Sequence, residues 1–95
     1  MVIQVTVEDI IQGKPLSYQG CPIALAVGKV LAPGVCVGIT KRMINLVKGT
    51  EWIDAYPTLD TASKERYYKF IKAFDNKLPV SPFEFEMKAP EWYFK

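Results

Sequence analysis

The chain predicts an α+β fold in a compact β-α-β-β-α-β order, ferredoxin-like or a related roll, with two helices on one face of a mainly antiparallel sheet. Three observations carry this expectation. Alternating apolar stretches stand near both ends, at 2–7 and 83–88, and two β-branched stretches stand in the middle, at 35–39 and 43–48. Two helical patterns, at 22–31 and 61–75, separate them.

In the first stretch Ile3, Val5 and Val7 fall on one face and Gln4 and Thr6 on the other, a half-buried strand. Thr6-Val7-Glu8-Asp9 then has the spacing of a capping box, so a short helical turn follows, tucked down by Ile10 and Ile11 and ended by Gly13. Lys14 to Gly20 reads as loop. Pro22 suits the first position of a helix because it has no N–H to satisfy, which makes Cys21 the N-cap. Ile23, Val27, Val30 and Leu31 share one face, Ala24, Ala26 and Gly28 line the others, and Ala32-Pro33-Gly34 stops the helix. Apolar all round except for Lys29, it must be covered on more than one side by the rest of the chain or by a partner chain.

Val35, Val37 and Ile39 give the second strand its apolar face, and Gly38 on the other face permits something to approach closely. Cys36 reads as core. Thr40-Lys41-Arg42 turns the chain into Met43–Lys48. Glu51–Tyr56 alternates Trp52, Asp54 and Tyr56 against Ile53 and Ala55, and is either a further short strand or a loop lying on the sheet. In the second helix, capped by Asp60 or Thr61, Tyr67, Phe70, Ile71 and Phe74 form an apolar stripe, with Asn76 as a left-handed C-terminal residue and Pro79 beyond it. Phe83, Phe85 and Met87 alternate with Glu84, Glu86 and Lys88 and enter the core. Ala89-Pro90-Glu91-Trp92-Tyr93-Phe94-Lys95 is an aromatic tail on what reads as one domain spanning 1–95.

Composition narrows the chemistry. The chain has 95 residues, 49% of them hydrophobic and 13% aromatic, which speaks against disorder. A net charge of +2 does not favour nucleic acid as partner. No basic leader precedes the first strand, and Pro22, Lys29, Pro33 and several glycines interrupt the one long weakly charged run, so no membrane span is expected. Two cysteines without a secretory signal read as free thiols. With no histidine and the cysteines fifteen positions apart, neither a cysteine hydrolase nor a metal site is expected, and no cofactor is implied. The expectation is a protein that is not an enzyme.

Three groups of residues stand out. Cys21 at a helix N-terminus is either a thiol of lowered pKa beside an anion-attracting helix end or simply a small buried cap. Lys41, Arg42 and Lys48 supply charge close in sequence to the stacking faces of Trp52 and Tyr56. Such a set suits a phosphate and a base, although a solvated turn beside core aromatics has the same composition. Leu25 and Lys29 on the apolar helix and Trp92, Tyr93 and Phe94 in the tail point to a homo-oligomer, because three consecutive aromatics cannot all enter one core.

Cys21-Pro22-Ile23-Ala24-Leu25-Ala26, Phe70-Ile71-x-x-Phe74-Asp75 and Pro82-Phe83-x-Phe85 together resemble a family of small uncharacterised bacteriophage proteins. The resemblance covers most of the chain and rests mainly on core residues. It implies a phage-encoded protein of the infected cell's cytoplasm, in a class of small phage proteins that includes sponges for cyclic-nucleotide or cyclic ADP-ribose-type immune signals. The functional expectation is therefore a binder that sequesters a small anionic nucleotide through Cys21, Lys41, Arg42, Lys48, Trp52 and Tyr56. The rivals are a protein that inhibits a host protein and a nucleic-acid binder. The second lacks an aromatic platform on its middle strands.

Overall fold

A computed structural model describes residues 1–41, 43–55 and 61–95, with the backbone alone for 52–55. Its elements run β1 (Val2–Val5), α1 (Val7–Gln12), α2 (Pro22–Gly28), β2 (Val35–Ile39), β3 (Ile44–Lys48), β4 (Glu51–Ala55), α3 (Thr61–Asp75) and β5 (Phe83–Glu86), with a 3-10 turn at Glu91–Tyr93. The fold is α+β, as expected, and its Cα radius of gyration of 12.3 Å matches the value of about 12 Å for a chain of this length packed into one globule.

The strands form two small antiparallel sheets, β1-β5 and β2-β3-β4. A ferredoxin-like sheet would place β1 beside β3. Here β4 occupies that edge of β3, with Ile44 opposite Ala55 and Lys48 opposite Glu51. The 51–55 segment is therefore a strand, and its pairing is what divides the sheet in two.

Local chemistry explains the element ends. The side chain of Thr6 caps α1 by accepting from Asp9 N–H, while the Asp9 carboxylate accepts from Thr6 N–H at 2.9 Å. This capping box ends β1 at Val5, so Val7 becomes the first helical residue and stands exposed instead of extending the apolar strand face. Ile11 is also exposed rather than tucked down. Helix α2 stops at Gly28, three residues before the expected end. The C-terminal tail claims the backbone beyond it: Ala32 N–H donates to Tyr93 O at 2.8 Å and Lys95 N–H to Val30 O at 3.0 Å. Pro33 independently holds Ala32 out of helical geometry. At the end of α3, Leu78 N–H donates to Ala73 O and Lys77 N–H to Phe74 O, a Schellman closure. The left-handed residue is Lys77, at φ 62°, and not Asn76, whose side chain donates to Lys72 O. The expected cap at Asp60 lies outside the described residues.

One core lies between the elements, built from Ile3 and Val5, Ile23 and Val27, Ile39, Ile44 and Leu46, Tyr67, Phe70 and Ile71, Phe85 and Met87. Tyr67 meets Phe85 edge-on at 5.5 Å and Phe70 packs on Phe83 at 4.8 Å, joining α3 to β5. Pro22, Ile23, Ala24, Ala26 and Val27 of α2 are all buried within the one chain. Cys36 reverses its expectation: it lies on the face opposite Val35 and Val37 and is exposed.

Candidate ligand-binding cleft

The β2–β3 hairpin, the loop before α2 and the C-terminal end of α3 meet around a cleft of about 280 Å³, lined by Leu16, Ser17, Tyr18, Cys21, Ile39, Thr40, Lys41, Ile71 and Asp75. Each wall is fixed by identifiable bonds. Thr40 and Met43 close the hairpin, with Thr40 N–H donating to Met43 O at 3.0 Å and Met43 N–H donating to the Thr40 hydroxyl at 3.1 Å. The buried Tyr67 hydroxyl donates to Thr40 O at 3.1 Å, tying the hairpin tip to α3. Burial first, and the neighbouring Cys21 second, push the Tyr67 phenol far above its ordinary pKa, so it remains a donor. The loop wall is held where Ile39 N–H donates to Tyr18 O at 2.8 Å and Leu16 N–H to Asp75 Oδ1 at 2.9 Å.

Lys41 is exposed at this cleft and its ammonium has no ion-pair partner among the described residues. Asp75 adds a carboxylate to the same lining, and Ser17, Thr40 and Tyr18 add hydroxyls. One cation and one anion in the same small space do not suit a bare polyanion. They suit a molecule that carries both an anionic group and hydrogen-bond donors.

Cys21 lines the cleft as a cap. Its sulfur accepts from Ala24 N–H at 3.4 Å and is buried, and desolvation outweighs the backbone hydrogen bonds that favour thiolate, so its pKa is raised. The carboxylate of Asp75 adds to that rise. Of the two readings the sequence allows for Cys21, the structure therefore matches the small buried cap and not the thiol of lowered pKa.

The remaining expected ligand residues do not join this cleft. Lys48 sits at the opposite end of β3, about 17 Å from the Met43 end at about 3.3 Å per residue. Its ammonium lies 5.3 Å from the Trp92 ring centroid, a cation–π contact. Trp52 pairs with Val47 at that same far end. Arg42 and Tyr56 lie outside the described residues. Sequence reasoning missed Tyr18, Ser17, Thr40 and Asp75. The one signal pointing to them was Gly38, whose open face is filled by the Tyr18 ring.

The residues expected at an oligomer interface are largely engaged within the chain. Tyr93 is fully buried, Phe94 pairs with Leu31 and Leu25 is half-buried, while Trp92 stands about half exposed. Lys29, the single charge of the apolar helix, forms an ion pair with the buried Asp9 at 2.9 Å. Among the described residues no group of three His, Cys, Asp or Glu could hold a metal ion, and no helix is long and apolar enough to cross a membrane. No family model, curated protein or solved structure matches the chain.

Proposed function

We propose that the protein is a non-catalytic binder of a small anionic nucleotide, held in the cleft between the Thr40–Lys41 hairpin tip and the Leu16–Tyr18 loop. The single observation that carries this reading is the Lys41 ammonium, without an ion-pair partner among the described residues, at a pocket that also holds Asp75, two aliphatic hydroxyls and the Tyr18 phenol. A phosphate has a cationic partner in Lys41, and ribose hydroxyls or a base amine have an acceptor in Asp75. The size of the cleft, about 280 Å³, lies just under the usual range of roughly 300–1,000 Å³ for ligand pockets, which favours a mononucleotide-sized portion of a ligand. The resemblance to small phage proteins places cyclic dinucleotides and cyclic ADP-ribose isomers among the first candidates, and sequestration of such an immune signal is the role proposed. The thiol that lines the cleft, Cys21, is buried and its pKa is raised, which argues against its serving as an activated nucleophile.

Calorimetric titration with mononucleotides, cyclic dinucleotides and cyclic ADP-ribose isomers tests this. The expected result is micromolar or tighter binding of at least one, loss of at least tenfold in affinity on Lys41→Ala, and recovery of intact ligand after heat denaturation. A cleaved product would make the protein an enzyme. No binding across the panel would refute the nucleotide reading in favour of a partner protein.

A further inference from the structure

Residues 36 and 38 of β2 and 45 and 47 of β3 alternate onto the face of the sheet opposite the buried Ile44 and Leu46. Cys36 is exposed on that face, yet Asn45, the direct cross-strand partner of Gly38, is only 7% exposed. Tyr18 lies over the pair. Its ring rests against the bare Cα of Gly38, where any Cβ would overlap ring atoms Cε1 and Cζ, and its hydroxyl accepts from Asn45 Nδ2 at 2.7 Å. This fit is half complete. Asn45 Oδ1 is buried with no hydrogen-bond partner among the described residues. A phenol presents one oxygen and engages one end of the amide, whichever way the amide is turned, so the other end is left unmatched.

We propose that Gly38 and Asn45 form a slot for a flat heterocycle whose donor and acceptor stand side by side, as on the N6 and N7 edge of adenine, and that the Tyr18 ring is the slot's resident plug. The proposal rests on the cleft reading and names the base its ligand would carry. A glycine backbone gives a planar ring a surface without a side chain, and an asparagine amide meets the adenine edge with two hydrogen bonds, including one at the oxygen that Tyr18 leaves unmatched. Tyr18 lines the cleft as well as filling the slot, so a base that displaces it remains continuous with the cleft. Lys41 follows Gly38 by three residues and so stands at most about 10 Å from it along the chain, within the reach of one mononucleotide between base and phosphate. A slot that is mostly plugged lowers the apparent affinity by the fraction of time it stands open, so removing the plug raises it.

The experiment titrates AMP, and its analogue lacking the 6-amino group, into the wild type, Tyr18→Ala, and Tyr18→Ala combined with Asn45→Ala. Tyr18→Ala is expected to bind AMP more tightly than the wild type and to prefer it over the analogue by about tenfold. The combined variant is expected to lose that preference. In NMR spectra of the wild type at millimolar AMP, the Gly38 amide and Asn45 side-chain amide signals shift, a readout that needs no variant to fold. Equal affinity of Tyr18→Ala for the two nucleotides, or unmoved Gly38 and Asn45 signals, overturns the slot. Wild-type binding that depends on Lys41 but shows no base preference overturns the slot and leaves the cleft reading standing. Base-selective binding by Tyr18→Ala that is indifferent to Lys41→Ala upholds the slot and removes the cleft reading.

Discussion

Replacing Asp9 with alanine removes three interactions at once, and their sizes follow from the structure. The residue is 4% exposed, and its carboxylate receives Thr6 N–H, the Thr6 hydroxyl and the Lys29 ammonium. Losing the charge-assisted bond from Thr6 N–H, which leaves that donor without its acceptor, is worth about 1.5 kcal/mol, and losing the bond from the Thr6 hydroxyl about 0.5 kcal/mol more. The Lys29 side chain is 53% exposed and returns to water, so its share is screened to about 0.5 kcal/mol. Asp9→Ala should therefore destabilise by about 2–3 kcal/mol, which for a domain of this size lowers Tm by about 10–20 °C. Urea unfolding followed by circular dichroism measures it, and a loss below about 0.5 kcal/mol would refute the reasoning. The pH dependence adds a second check. Burial opposes ionisation of Asp9, but the Thr6 and Lys29 hydrogen bonds together with the Lys29 charge outweigh it and hold the carboxyl below its usual value. A folded-state pKa below the unfolded one gives stability that is complete above the unfolded value of about 4 and disappears as pH falls through the folded value. The advantage of the wild type over Asp9→Asn should therefore narrow below about pH 4.

Other outcomes follow from single residues. Lys77→Gly should stabilise by about 1 kcal/mol in thermal unfolding, because Lys77 holds a left-handed backbone that glycine adopts without strain. Gly38→Ala should cost about 1–3 kcal/mol through overlap with the Tyr18 ring. Combining it with Tyr18→Ala should cost less than the sum of the two single changes in a double-mutant cycle. Native labelling with a thiol reagent should modify Cys36 quickly and leave Cys21 protected until the chain unfolds. Mass mapping of the labelled peptides would show the reverse order if the placement of the two cysteines were wrong.

Much of the fold was legible because its signals are local. Thr6 and Asp9 at capping-box spacing, Pro22 behind Cys21, and the Phe83-Glu84-Phe85-Glu86 alternation each specify their element without distant partners. What the sequence hid depends on contacts between distant segments. The tail residues Tyr93 and Lys95 end α2 early by taking hydrogen bonds from and to residues 30–32, and no window around α2 contains them. The alternation over 51–56 allows a strand or a loop and names no edge for it to join, so the division into two sheets was invisible. Lys41 and Lys48 are close in sequence, yet a straight strand carries them to opposite ends. Cys36 looked like core because its neighbours are β-branched, but period-two geometry turned it to the exposed face.

The placement of the ligand is tested most directly by amide NMR titration of the wild-type protein with whichever nucleotide binds in calorimetry. Signals of Ser17, Tyr18, Ile39, Thr40, Lys41 and Asp75 should move together and saturate with the calorimetric affinity, while those of Lys48 and Trp92 stay in place. Shifts centred on Lys48 and Trp92, with the hairpin tip and the Leu16–Tyr18 loop unmoved, would contradict the account.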